Sequence, residues 1–412
     1  MGEGATPGPV KVGDETQSST TSWAAKLLLL LLSLVFCAAG FLALDWFRTN
    51  RIRQSVGIPP TGENPCQVHD PIRDHGFKSS CSTHALWGAV WYPFFTNNLG
   101  LRDARVRVVA PVVDRPRILL LGDSVTEGMT SWQDSFAGML TARFPQYEFL
   151  NGGVNSYSPS NYLNTARMVL NDGIDFDEVI VFIDNSDVQD EAAVYRDADA
   201  EGAVYVRAEP WVPQPFDEQR AWLASHLLLT NDLVTSVQRA LVAEGYYHLT
   251  LGLFGNIFDT DRWAWTYRPV NEKQGFWAGG GTGYAPLGVE GGIRKEKLKM
   301  TLLWQLLQAR GIPLSVVVYP EPALLVHDTV NSRQVRIWRE WCQGKCKRFI
   351  TIFPEFFAAK DQCPWYERGC WYTKYFIFGD THYNANGNAI VTDVVGKSLE
   401  SLPVTKHPPL PK

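Results

Sequence analysis

Arg117-Ile118-Leu119-Leu120-Leu121 runs directly into Gly122-Asp123-Ser124-Val125-Thr126-Glu127-Gly128. A short apolar run closed by a glycine and followed by helix-starting residues reads as a buried strand, a tight turn and a helix. The pattern recurs along the chain. Further β-rich runs at 147–151, 178–184, 314–319 and 348–353 are separated by longer stretches, several of helical character, such as 131–144 and 295–310. Strands alternating with helices predict an α/β fold, a mostly parallel central sheet covered on both faces. In such a sheet, sites form beyond the carboxyl ends of the strands, which is where this turn puts Ser124.

With 412 residues, 45% of them apolar and 12% aromatic, the chain has ample material for a core. The formal net charge of -5 and the absence of a long Lys/Arg run remove the electrostatic footprint of a nucleic-acid binder. Residues 1–22 are rich in Gly, Ser, Thr and Pro and are expected to form a disordered tail. Residues 27–44 carry no charge, and a run of about 18 such residues can span a bilayer. A signal anchor over 23–47 is the expectation, with a cleaved signal peptide as the alternative. A lipoprotein reading would use Cys37, but bulky Phe36 directly before it argues against that.

Two signals conflict over which side of the membrane the domain occupies. Arg48, Arg51 and Arg53 after the span outnumber Lys11 and Lys26 before it, so the positive-inside rule alone would leave the domain in the cytoplasm. The cysteines point the other way. Six lie outside the span in locally close pairs, Cys66 with Cys81, Cys342 with Cys346 and Cys363 with Cys370, which suggests disulfides and an oxidising compartment. Cys342-x3-Cys346 and Cys363-x6-Cys370 do not repeat the CxxC spacing of common zinc sites. The cysteines carry more weight, so an extracytoplasmic, periplasmic domain is expected.

Residues 48–114 read as a linker and N-terminal extension, with Ile58-Pro59-Pro60-Thr61-Gly62 as the linker. The main domain is expected at 115–404, interrupted by an insertion at about 192–292. The insertion holds a helical portion at 215–243 and a Gly/Trp/Tyr-rich stretch at 263–292. It reads equally as a substrate-facing lid or as an ordered surface excursion.

A serine hydroxyl needs a base before it can attack at neutral pH. His382 is the best base among the eight histidines, because Gly379-Asp380-Thr381-His382-Tyr383-Asn384 could deliver a base and its orienting carboxylate from one loop. The plainer alternative is that Asp380 and His382 cap the helix expected at 386–399. His327-Asp328 is a rival pair without a matching nucleophile context.

These residues carry a resemblance. Gly122-Asp123-Ser124-x-Thr126-x-Gly128 resembles the first block of the SGNH/GDSL hydrolase superfamily, and Asp380-Thr381-His382-Tyr383-Asn384-x-x-Gly387 resembles its last, in the short Asp-x-His form of polysaccharide-modifying members. Leu150-Asn151-Gly152-Gly153-Val154-Asn155-Ser156-Tyr157 is similar to the second block, whose glycine would offer its backbone N–H to an oxyanion. The third block departs from the pattern. Where members carry Gly-x-Asn-Asp, this chain has Phe182-Ile183-Asp184-Asn185-Ser186-Asp187, which aligns Ser186 with the oxyanion asparagine and leaves Asn185 as the alternative donor. Asp187, Asp190 and Glu191 crowd the same loop and read as solvated surface carboxylates more readily than as a cation site.

The resemblance implies a flavodoxin-like three-layer α/β/α sandwich and a Ser124–His382–Asp380 triad. It also implies an oxyanion hole from Ser124, Gly153 and Ser186 or Asn185, and no metal or organic cofactor. The expected substrate is an acyl ester, acetyl in particular, of a cell-envelope carbohydrate. The alternatives are O-acetyl transfer onto an envelope polysaccharide from a membrane-embedded acyl donor protein, and a non-catalytic envelope binding or assembly protein. Trp263, Trp265, Tyr267, Trp277 and Tyr284 are the aromatic residues expected to meet sugar rings.

Overall fold

The structure is a computed structural model that describes residues 22–56, 64–87, 90–197, 205–207, 222–223, 225–243, 284–363, 370–377 and 381–406. It begins with one long helix, α1 (Trp23–Val56), long and apolar enough to cross a membrane. It continues nine residues beyond the expected anchor boundary at 47, with Asp45 just before that boundary and Thr49 and Arg53 beyond it in buried positions.

The extension after α1 has strands of its own, and the linker expected at 58–62 lies outside the described residues. A small hairpin, β1 (Gln67–Asp70) with β2 (Asp74–Phe77), is tied by the Cys66–Cys81 disulfide to β3 (Ser82–Trp87). β3 pairs antiparallel with β4 (Val90–Thr96), which pairs with β5 (Arg102–Asp103). β5 then meets the main sheet, Arg102 opposite Asn151. The extension therefore continues the central sheet.

The main domain follows in the expected alternation. β6 (Arg117–Leu121) leads through α2 (Ser124–Glu127) and α3 (Phe136–Arg143) to β7 (Glu148–Asn151) and α4 (Pro159–Asn171). Next come β8 (Glu178–Ile183), α5 (Ser186–Gln189) and the hairpin β9 (Tyr195–Asp197) with β10 (Tyr205–Arg207). Two helices, α6 (Leu228–Ala243) and α7 (Gly288–Gln308), precede β11 (Leu314–Val318), α8 (Pro322–His327) and α9 (Arg333–Trp341). β12 (Arg348–Thr351), α10 (Phe353–Asp361), α11 (Cys370–Tyr375) and α12 (Ala385–Ser401) complete the order.

The sheet runs β12-β11-β8-β6-β7-β5-β4-β3, and the first five strands are parallel. Taken in chain order, the parallel strands lie 2-1-3-4-5, the flavodoxin-like arrangement. Successive side chains explain the layers, since alternate residues of a strand face opposite sides. Leu119, Leu121, Val179, Val181 and Val316 pack under α4, α7 and α9 with Leu163, Leu303 and Trp338. Ile118, Leu120, Ile180, Phe182 and Val317 pack on the opposite face with Phe136 of α3, Phe356 of α10 and Val391 of α12. The result is a three-layer α/β/α sandwich.

All three local disulfides are formed, Cys66–Cys81, Cys342–Cys346 and Cys363–Cys370, while Cys37 is free on α1. No group of three or more His, Cys, Asp or Glu able to hold a metal occurs among the described residues.

Candidate active site

The strand order reverses between β6 and β8, and a crevice opens at such a switch point beyond the carboxyl ends of the strands. Ser124 sits there as the first residue of α2, immediately after β6. Gly122 permits the sharp turn: a Cβ at this position would lie 2.0 Å from Thr126 Oγ1. Asp123 caps α2 by accepting the Val125 N–H at 3.0 Å, and Tyr319 Oη donates to the same carboxylate oxygen at 2.8 Å. Burial and neighbouring Asp184 push the Asp123 carboxyl up to about 7.

Nε2 of His382 stands 2.7 Å from Ser124 Oγ. The two residues are held together by the ends of distant elements. Ile377 N–H donates to His382 O at 2.8 Å and Phe376 bridges to Tyr383, so the loop is closed around the histidine. Tyr383 Oη donates to Pro320 O at 2.7 Å, fastening the loop to the chain after β11. The cap of α12 is Asn384, which accepts the Asn386 and Gly387 N–H groups, so His382 is not spent on the helix end. His382 is 8% exposed. Asp380 lies outside the described residues. The rival Asp328 is committed locally, accepting Thr329 N–H at 2.8 Å and Ser332 Oγ at 2.7 Å.

The second block is packed against the first. A Cβ on Gly153 would stand 2.5 Å from Glu127 N and 2.6 Å from Thr126, so glycine is required by close approach of the two loops. Its N–H, expected to face an oxyanion, instead donates to Asn151 Oδ1 at 3.0 Å. Asn151 in turn donates through Nδ2 to Thr126 O at 2.7 Å, which ties the loop to α2. The Ser124 N–H opens α2 and has no acceptor within that turn.

The third block also differs from expectation. Ser186 is turned away from the oxyanion role: its hydroxyl donates to Asp184 Oδ1 at 2.7 Å and its N–H to the same atom at 2.8 Å. Asn185 is buried and donates through Nδ2 to Glu321 Oε2 at 3.3 Å. An amide NH2 carries two donors, so Asn185 retains one. Two of the three carboxylates expected to be solvated are not: Asp187 and Glu191 are fully buried, while Asp190 is half-buried. Asp187 accepts Tyr162 Oη at 2.7 Å, and burial, with Asp184 beside it, pushes its carboxyl well up. Glu191 accepts Ser158 Oγ, the Ser160 N–H and Ser160 Oγ at 2.7–2.9 Å and pairs with Lys295 at 3.1 Å. These two acids bind α5 and the turn after it to α4 and α7.

Several residues of the site carry no motif. The Trp87 ring, from β3, meets His382 edge to face, with centroids 5.0 Å apart at 81°. Arg102, buried on β5 beside Tyr92 and Phe94, donates to the carbonyls of Glu127, Gly128 and Thr130 just after α2. Both come from the extension, where nothing in the spacing marks them. Of the aromatic residues expected to meet substrate, Trp263, Trp265, Tyr267 and Trp277 lie outside the described residues. Tyr284 is half-buried against Val188, Val289 and Ile293, and burial with the nearby charges of Glu321, Asp184 and Asp190 pushes its hydroxyl up to about 12.

No family model matches the sequence, and no curated protein matches it. Solved structures to which the chain is similar include a GDSL-like lipase from Bacteroides thetaiotaomicron, at 11% identity over 71% of this chain and 92% of that one, with a TM-score of 0.33. Another is AlinE4, an SGNH-hydrolase family esterase, at 12% identity over 71% of this chain and 99% of that one, TM-score 0.29. A third is LAE5, an alpha/beta hydrolase enzyme from the metagenome of Lake Arreo, Spain, at 11% identity over 71% of this chain and 98% of that one, TM-score 0.34. Identities this low assign no substrate and no residue role to the chain.

Proposed function

We propose that the protein is a serine-dependent acyl-ester hydrolase that acts on acyl, in particular acetyl, esters of a cell-envelope carbohydrate from the outer side of the membrane. The carrying observation is the 2.7 Å contact between Ser124 Oγ and His382 Nε2, within reach for proton transfer. Ser124 Oγ attacks the ester carbonyl as His382 Nε2 takes its proton. The tetrahedral oxyanion is met by the Ser124 N–H and by the remaining amide N–H of Asn185, with Gly153 N–H joining if it leaves Asn151. Collapse expels the alcohol, which receives the proton from His382, and water then releases the acid by the same steps in reverse. Asp380 orients the imidazole. The reaction requires no metal or organic cofactor.

The three disulfides and the apolar helix α1 support an anchored domain in an oxidising compartment. A second reading, acetyl transfer from a membrane-embedded donor to an envelope polysaccharide, draws on the burial of His382, which carries the Trp87 ring edge to face against it. The full chain in detergent should be labelled at Ser124 by a fluorophosphonate and should release acetate from an aryl acetate, and Ser124→Ala should abolish both. Equal labelling of wild type and Ser124→Ala would refute the hydrolytic and transfer readings together and favour a binding or assembly role. Acetylated oligosaccharide formed in preference to free acetate would select transfer.

A further inference from the structure

The membrane-side end of the domain is built around Asp45. Its buried carboxylate accepts the Leu229 N–H at 3.0 Å, the Thr230 N–H at 2.7 Å and the Thr230 hydroxyl at 2.7 Å. Four residues further along α1, Thr49 Oγ1 accepts the Leu228 N–H at 3.1 Å. One helix thus supplies the cap of another, satisfying the open N–H groups of the first turn of α6. Asp45 directly follows the uncharged run at 27–44, so α6 begins at the level where the apolar part of α1 ends.

Leu227 and Leu228 are buried at this junction, but the next apolar residues are not. Leu229, Leu233 and Val237 recur every four residues, fall on one helical face and are 37%, 57% and 51% exposed. Trp222 just before α6, and Trp46 and Phe47 beside Asp45 on α1, are exposed as well. Aromatic residues at the end of an apolar span, next to a helix with one exposed apolar stripe, are the composition of the membrane interface.

We propose that α6 lies in the membrane interface, with Leu229, Leu233 and Val237 seated at the boundary of the acyl chains of the same bilayer that α1 crosses. This rests on reading α1 as an anchor and goes beyond it. The domain is then held by two helices clamped through Asp45, which fixes its height and tilt, instead of hanging from a single tether. α6 also packs beside α11, whose last turn leads into the His382 loop, so the bilayer contact and the catalytic histidine share a support.

The test uses the full chain in phosphatidylcholine nanodiscs, with and without acyl-brominated lipid, in a Cys37→Ser background where the other six cysteines are in disulfides. Leu34→Cys, Leu233→Cys and Val237→Cys are each labelled with the fluorophore NBD. The proposal expects brominated lipid to quench positions 233 and 237 at least half as strongly as position 34. Quenching at 34 with none at 233 and 237 overturns the proposal while the anchor stands, and means that water or protein covers the stripe. Absence of quenching at 34 overturns the anchor reading and the proposal with it.

Discussion

Asn185 keeps an amide N–H beyond the one given to Glu321, whereas the Ser186 hydroxyl is committed to Asp184. Asn185→Ala should therefore lower kcat by about 100- to 1000-fold, the usual loss of an oxyanion donor, with KM little changed. Ser186→Ala should cost less than about tenfold in the same assay of aryl acetate turnover. The reverse ranking would return the role to Ser186. Asp123 gives a pH prediction. An aspartate in an unfolded chain titrates near 4, and here burial and Asp184 raise it to about 7, so folding takes up a proton. Its stabilising contribution is complete below about pH 4 and is lost as the pH rises through 7. Asp123→Asn keeps an acceptor for Val125 and Tyr319 without the charge. The Tm advantage of wild type over this variant should decline between pH 4 and 8, and a constant difference would show that Asp123 ionises normally. The meeting of Ser124 with His382 and the crowding at Gly153 occur at positions that residue type and local context mark in the sequence. The orientation of Asn185 and Ser186 is not marked in this way, because it is set by where Asp184 and Glu321 place their oxygens.

The parallel strands of the main domain were legible in the sequence, to within two residues at their ends, since apolar runs are local properties, whereas the helix expected at 295–310 begins at Gly288. The extension was not legible. β3, β4 and β5 are recognisable as sheet only through their pairing with one another and with Asn151. Yet these strands bring Trp87 to His382 and Arg102 to the carbonyls after α2. An edge-to-face aromatic pair contributes roughly 0.5–1.5 kcal/mol. Trp87→Ala should then lower kcat/KM by about three- to tenfold and shift the pH profile governed by His382, while Trp87→Phe should restore most of both. A Trp87→Ala profile identical to wild type in shape would mean that the ring only fills space. The turn after α5 shows the opposite case: Glu191, read as solvated from its acidic neighbourhood, is buried because Ser158, Ser160 and Lys295 converge on it from other elements.

In the whole molecule, five parallel strands set the crevice and three antiparallel ones extend the sheet beyond it, with Cys66–Cys81 holding the extension in place. Closing a loop of about 15 residues by a disulfide contributes on the order of 3 kcal/mol. The double variant Cys66→Ser/Cys81→Ser should lose about that much in denaturant unfolding and should lose activity in proportion to the displacement of Trp87. Full activity together with lowered stability would separate the extension from catalysis. The distance along the chain between the reacting partners has a different consequence. Ser124 and His382 are 258 residues apart, so during synthesis the serine emerges long before its base. On the proposed function, Ser124 would gain its base only once residue 382 has been made and Tyr383 has docked on Pro320 after β11.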